Sequence, residues 1–151
     1  MVSNSGKIIE MLGGLAIIAS LLFVAYEIRQ SNRIAVGTTS YEIQRNWMAI
    51  NDLLATDEEL GAVVIKLFDD DIELSPAERF QADAYVRRFI NTWAAIEDAY
   101  DNGLVSDALY QMAIDEVHSF SRSQKVKESF KRFASTYDMA EFEVLAPLAD
   151  L

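Results

Sequence analysis

The sequence contains no cysteine, only two prolines, six glycines and a single histidine. Without cysteine there can be no disulfide, no thiolate nucleophile and no cysteine-ligated metal, and the redox compartment stays open. Because proline and glycine are the residues that disfavour helix interiors most, their scarcity favours long helices. No glycine-rich phosphate loop and no serine–histidine–aspartate set can be argued from the spacing.

Basic residues are also in short supply, with 13 Lys and Arg against 24 Asp and Glu, for a net charge of −11. Among the first 26 residues only Lys7 and Glu10 are charged, so the whole excess belongs to the residues that follow. A nucleic-acid partner requires a dense cationic face to neutralise phosphates. We therefore expect no nucleic-acid partner.

One long uncharged run is present, over residues 11–26, with Ser20 as its only strongly polar side chain. Extended back to Ile8, it makes about 28 Å of helix, close to the ~30 Å hydrocarbon core of a bilayer. The pattern predicts a membrane span over residues 8–26. A cleaved signal peptide would need more basic residues before the run and a small residue at Phe23. A buried core helix is the other alternative, although a helix that is apolar on every face usually lies in a membrane.

The charges that flank the run predict its orientation. Lys7 precedes it, whereas Arg29 and Arg33 follow closely and Arg45 lies beyond. By the positive-inside rule, the C-terminal domain is expected in the cytoplasm. The expected location is a single-pass membrane protein, in a bacterium at the inner membrane, contacting lipid through its anchor.

Small residues recur within the predicted span. Gly13, Ala16 and Ser20 lie on neighbouring turns and predict a surface for close packing against another membrane helix. Glu10 lies about one turn inside the boundary of the span. It is either a carboxylate that reaches back to the interface or part of a carboxylate ring in an oligomeric pore.

The rest of the chain predicts an all-α fold, in which the transmembrane helix continues as a stalk and a compact helical bundle follows. The predicted boundaries are residues 1–38 for anchor and stalk and residues 39–151 for the acidic helical domain. One long helix is expected over residues 6–55, with Gly37 as the point of bending. Thr39 and Glu42 fit a capping box, which would restart a helix there.

Capping signals and helical spacing place the later helices. Helix starts are expected at Thr56, Ser75, Ser106, Ser123 and residues 138–141, and Pro147 is expected to kink or end the last helix. Asn102 and Gly103 are expected to end the central helix, with Leu104 packing back. The expected inward positions are Ile43, Trp47, Ile50, Leu54, Leu60, Val63, Val64, Leu67, Phe68, Ala82, Val86, Phe89, Trp93, Ile96, Tyr100, Tyr110, Ile114, Val117, Val126, Phe130, Phe133 and Tyr137.

Three acidic groupings are candidate sites. Asp115 and His118 stand at i and i+3, as in half of a di-iron motif, but a complete site needs a second copy and further carboxylates. Glu97 and Asp98 are adjacent, so they point in different directions on a helix and cannot easily act as an acid–base pair.

The third grouping, within residues 69–73, alternates acids as a calcium loop does. It lacks that loop's glycine at the sixth position and its glutamate at the twelfth. We therefore expect no metal, no cofactor and no catalytic residue.

Charge is segregated along the chain. A basic cluster consists of Arg122, Lys125, Lys127, Lys131 and Arg132, whereas residues 52–73 are strongly acidic. These are either two solvated faces or complementary surfaces that pair within the domain, on a second protomer or on another subunit. Contact of the basic cluster with anionic lipid headgroups is a further option.

The order of features resembles a family of small, uncharacterised bacterial proteins with an N-terminal membrane anchor and a helical domain. The resemblance rests on the anchor running into EIRQSNRIA, followed by LATDEEL, LSPAERF, AYDNGLVSDALY and DMAEFEVL. This chain departs from the family where Asp57, Glu58 and Glu59 lack the usual proline. The resemblance implies a bacterial, membrane-anchored helical protein and carries over no catalytic residue.

These observations predict a membrane-anchored interaction or assembly protein without catalysis of its own. It would act as a homo-oligomer or as an accessory subunit of a larger membrane complex. The alternative is an oligomeric pore or transport component lined near Glu10. An enzyme with a hidden carboxylate and histidine site is a third hypothesis.

Overall fold

The computed structural model describes residues 4–134 and 141–149, and all regular structure in these ranges is helical. This confirms the all-α prediction. The elements are α1 (Asn4–Thr56), α2 (Glu58–Phe68), α3 (Pro76–Asp101), α4 (Asp107–Phe120), α5 (Gln124–Ala134), a 3₁₀ turn (Glu143–Leu145) and α6 (Ala146–Ala149). The chain divides into two compact units, Met1–Gly37 and Thr38–Leu151.

Helix α1 is one continuous helix, which confirms the long helix predicted over residues 6–55. The helix runs from Asn4 to Thr56, so the capping box predicted at Thr39 and Glu42 is wrong as a helix start. A single glycine costs a helix only about 1 kcal/mol relative to alanine, although Val36, Thr38 and Thr39 beside Gly37 are also weak helix formers. A long helix tolerates one segment of low helix propensity, because each further residue adds a hydrogen bond without a new nucleation cost.

The other capping signals are largely confirmed. Ser75 and Glu78 form a complete capping box at the start of α3, and Ser106 caps α4 by accepting a hydrogen bond from Leu109 N. The start of α2 is a correction, because Asp57 is the N-cap, whereas Thr56 donates its hydroxyl back to Asp52 O at 2.7 Å. The carboxylate of Asp57 complements the positive helix end better than a hydroxyl does.

Helix α3 ends in a Schellman motif, as predicted. Gly103 has a φ of +68°, the left-handed conformation that glycine adopts without strain. Gly103 N donates to Tyr100 O, and Leu104 N donates to Ala99 O, both at 2.8 Å. The chain thereby reverses towards α4.

The core of the second unit surrounds α3, which contacts α2, α4, α5 and the 3₁₀ turn. The predicted α3 stripe is confirmed, since all its members are buried except the half-buried Tyr100. On α4 the buried positions are Leu109, Ala113 and Val117. Val117 was predicted to be buried, whereas the predicted Tyr110 and Ile114 are only half-buried, because each lies one residue after a buried position. Phe68, predicted to face inward, is 42% exposed.

The C-terminal predictions are only partly testable. Tyr137 and the capping box over residues 138–141 fall mainly outside the described residues. Pro147 lies in the first turn of α6 instead of ending a helix, which corrects the prediction. A backbone N–H is not needed for helical hydrogen bonding in the first turn, so proline fits there.

Candidate functional site

The small-residue surface of the predicted span is exposed along α1. Gly13, Ala16 and Ser20 are all exposed, and a Cβ added at Gly13 would meet nothing within 4 Å. The Ser20 hydroxyl donates to Ala16 O at 2.9 Å. Because this hydroxyl is satisfied within its own helix, the surface can pack against an apolar neighbour without leaving a polar group unpaired.

Lys125, a member of the basic cluster, is engaged within its own unit. Its ammonium group donates to the backbone oxygens of Lys66 at 2.9 Å and Ile72 at 2.5 Å, and also to that of Asp69. These oxygens lie at the end of α2 and in the loop after it. A cation there complements the negative helix end and satisfies carbonyls that have no partner in the helix.

The same contact explains the loop that carries the calcium-like spacing. Asp69 uses its carboxylate to accept from Asp71 N at 3.0 Å, which closes the loop as a local turn. Two backbone carbonyls of this loop face the Lys125 ammonium. The loop is thus organised around a cation supplied by the chain itself.

Replacing Lys125 with methionine is expected to destabilise the second unit by about 1–3 kcal/mol, because carbonyls at the end of α2 lose a charged donor. Lys131→Met is the matched control, since Lys131 lies exposed on the same helix and its replacement is expected to cost less than about 0.5 kcal/mol. Chemical denaturation followed by circular dichroism measures both. Equal stability of the two variants would contradict the capping role.

Arg132, a second member of the cluster, joins α5 to α3. It binds Asp83 through two nitrogens, at 2.5 and 3.0 Å, and the Ser129 hydroxyl donates to the same carboxylate at 2.5 Å. Arg122 and Lys131 are exposed and Lys127 is half-buried. The five residues are therefore not one uniform surface, because Lys125 and Arg132 make contacts within the domain.

Glu97 is buried, with 7% of its surface exposed, and Asp98 is exposed. The Glu97 carboxylate accepts from Glu143 N at 2.8 Å and Val144 N at 2.7 Å. It therefore holds the start of the 3₁₀ turn against α3. The two adjacent acids face different surroundings, as the sequence spacing predicts.

A half-buried carboxyl group, that of Glu116, lies between two indoles. Trp93 donates its indole N–H to Glu116 at 2.8 Å from within the core. The indole N–H of Trp47, on α1, lowers the pKa of the same carboxyl, yet it makes no hydrogen bond of normal geometry and is buried without a partner. Burial is the strongest influence and raises the pKa of Glu116 above its usual range.

A cavity of about 380 Å³ opens beside this carboxyl. Its lining combines aromatic, thioether, amide and acidic groups: Trp47, Asn51, Phe89, Met112, Asp115 and Glu116. A volume of this size falls in the usual range for small-molecule sites. Burial of the Tyr85 phenol, and to a smaller extent the nearby charge of Glu116, raises the pKa of Tyr85 to about 12.

Sequence reasoning singled out the neighbours of Glu116 and missed Glu116 itself. Asp115 and His118 are both exposed, and Asp115 accepts a hydrogen bond from Gln111. The predicted inward positions Tyr110 and Ile114 did not indicate Glu116, which follows the buried Ala113 by three residues. An acidic residue at an inward helical position requires a partner, which the indole of Trp93 provides.

Comparison of the chain with protein-family models, with curated proteins and with solved structures gave no match. The functional argument therefore depends on the geometry of this chain.

Proposed function

We propose that this protein is anchored in a membrane by the N-terminal part of α1 and acts by binding, with its helical domain engaging a partner. The partner is a second copy of the chain or a subunit of a larger membrane complex. The proposal includes the single-pass topology, the bundle arrangement of the second unit and the absence of catalysis by the chain itself.

The observation that carries the proposal is the exposure of the apolar run. Among the described residues, α1 is the one helix long and apolar enough to cross a membrane, and none of its apolar window is buried. Its large side chains are about 50–70% exposed, as for Ile9 at 70%, Leu15 at 55% and Leu22 at 67%. Such a continuous apolar surface is far beyond what a soluble chain leaves uncovered. Lipid would cover it without any further protein contact.

The same exposure argues against a buried core helix, because a core helix would be covered by its own domain. A signal sequence differs from an anchor in that it is cleaved from the mature protein. Extraction of membranes with alkaline carbonate, with N-terminal sequencing of the retained protein, tests both points. Retention of the chain with residues 1–26 intact supports the anchor, and cleavage after the apolar run contradicts it.

The orientation is proposed from the flanking charges. Arg29 and Arg33 follow the run closely, whereas Lys7 alone precedes it. This places the second unit in the cytoplasm, and for a bacterial source it places the anchor in the inner membrane. Protease added to sealed spheroplasts is expected to leave the second unit uncut.

Association through the anchor is expected to depend on its small residues. Replacing Gly13 and Ala16 with leucine is expected to weaken self-association or co-purification by about tenfold, because close helix approach is lost. A Cβ added at Gly13 would meet nothing within 4 Å and Ala16 is exposed, so we expect folding of the protomer to be unaffected.

The matched control is Ala25→Leu, which adds bulk about a third of a turn around the helix from Gly13 and about half a turn from Ala16. Complex mass after gentle detergent extraction is the measurement. A single species at a small multiple of 17.0 kDa indicates a homo-oligomer, and recovery with other subunits indicates an accessory role. A wild-type monomer alone would contradict both forms of the proposal.

The alternative is a pore or transport component with Glu10 near its lining. Glu10 is exposed and precedes Gly13 by three residues, so both lie on the same side of α1. Glu10→Gln is expected to change ion flux into reconstituted vesicles only under this alternative, because only there does the carboxylate face a path. Unchanged flux excludes a role of Glu10 in conduction.

A further inference from the structure

The cavity beside Glu116 has a composition that selects one class of ligand. An exposed acid, Asp115, and a half-buried acid, Glu116, lie on it together with the rings of Trp47 and Phe89. Carboxylates repel anions, so phosphates and organic acids are disfavoured. Aromatic faces attract cations, most strongly when the site is partly desolvated.

A metal ion fits this lining poorly. Among the residues that the structure describes, no three acidic or histidine side chains gather closely enough to hold one. Two carboxyls beside indole, phenyl and thioether groups offer too few oxygen ligands for a divalent cation. The apolar surface of Met112, 57% exposed at the cavity, instead suits a hydrocarbon part of the ligand.

The groups around Glu116 include hydrogen-bond donors that can stabilise its ionised form. Trp93 donates a hydrogen bond to one carboxyl oxygen, and the buried indole N–H of Trp47, which has no hydrogen-bond partner, lies near enough to lower the pKa of the same group. In the empty cavity, desolvation opposes the charge of the carboxylate. A bound cation would offset this cost and stabilise the ionised carboxylate, with two indole donors available to it.

We propose that this cavity binds a small organic ammonium ion, with Glu116 as the counter-ion, Asp115 at the rim and Trp47 and Phe89 as the aromatic walls. The cavity volume of about 380 Å³ suits a ligand with one aromatic ring or a short alkyl chain. Because Trp47 belongs to α1, a bound ligand would contact α1 as well as α3 and α4.

The chain carries its own reporter for the test. Its only two tryptophans are Trp47 and Trp93, and both adjoin Glu116. Tryptophan fluorescence of the full chain in detergent micelles can therefore be titrated with phenethylamine and with the uncharged 2-phenylethanol. The two probes have nearly the same size and differ in charge, so their comparison isolates the carboxylate contribution. Protein-free micelles correct for partitioning.

The amine is expected to give a saturable change and to bind at least about tenfold more tightly than the alcohol. Glu116→Gln should lose that preference, whereas Glu59→Gln, at an exposed position outside the cavity, should keep it. Trp47→Phe should retain an aromatic ring in the cavity wall, and the fluorescence change on binding should then come from Trp93 alone. Absence of saturation at millimolar amine, equal affinity for both probes, or full binding by Glu116→Gln would overturn the proposal.

A pH titration of the wild-type protein keeps the test valid if Glu116→Gln does not fold. Tyr85 stays neutral throughout, and Asp115 is the other acid at the cavity. Amine affinity is expected to fall between neutral and mildly acidic pH, as Glu116 takes up a proton, although the amine itself stays protonated. Asp115→Asn should weaken binding less and keep the pH dependence. An affinity that does not change with pH would exclude Glu116 as the counter-ion.

Discussion

Replacing Ile17 and Leu21 with lysine is expected to move the protein from the membrane pellet to the soluble or aggregated fraction. Both side chains are 64% exposed near the middle of the apolar run, on one side of α1. Lysine at the centre of a transmembrane helix costs about 2.5–3.5 kcal/mol on insertion scales. Two such residues cost about 5–7 kcal/mol, which is enough to prevent stable insertion of the helix.

The matched control places two lysines beyond the proposed span, at Ile34 and Tyr41. These side chains are 61% and 65% exposed, so the change in charge and exposure is similar. The control is expected to stay in the membrane, since under the proposed orientation lysines there would add to the positive charge on the cytoplasmic side. Carbonate extraction followed by immunoblotting measures the distribution. Membrane retention of the Ile17 and Leu21 variant at the wild-type level would show that this run does not lie in the hydrocarbon core.

Trp93→Ala is expected to destabilise the second unit by about 3–5 kcal/mol. The Trp93 side chain has 0% exposure and packs against the rings of Phe89 and Phe120, at centroid distances of 5.5 and 5.1 Å. Truncation leaves a cavity at the centre of the core and removes the donor to Glu116. Since domains of this size have about 5–15 kcal/mol of stability in total, the loss is a large fraction.

The control for Trp93 is Phe80→Ala, because Phe80 is 75% exposed on the same helix. Its removal is expected to change stability by less than about 0.5 kcal/mol. Thermal unfolding of the full chain in detergent compares the stability of the two variants. Circular dichroism follows both variants, and the fluorescence of Trp47 also follows the Trp93 variant. A Trp93 variant as stable as the Phe80 variant would mean that the core does not centre on α3.

Local interactions made much of the fold predictable. The start of α3 follows from Ser75, Pro76 and Glu78, since this capping box needs only residues within one turn of each other. The end of α3 follows from Gly103 for the same reason, because only glycine adopts the required φ without strain. The central stripe through Trp93 was predictable because burial repeats with the helical period.

Interactions between distant residues were not predictable in this way. Lys125 was grouped with other cations by its position in the sequence, but its ammonium group binds carbonyls near residue 69, more than fifty positions away. The pairing of Arg132 with Asp83 likewise depends on how α5 packs on α3. Charge counting along the chain cannot distinguish a cation that faces solvent from one that caps another helix.

The amino-acid order alone determined the helical class, the ends of α3 and the position of the apolar run, because each depends on neighbouring residues or on composition. The packing of helices decided which polar groups lost their water. It placed Glu97 beneath the 3₁₀ turn and Glu116 between two indoles. Desolvation depends on atoms brought together from distant parts of the chain, and for that reason the cavity beside Glu116 became visible only in three dimensions.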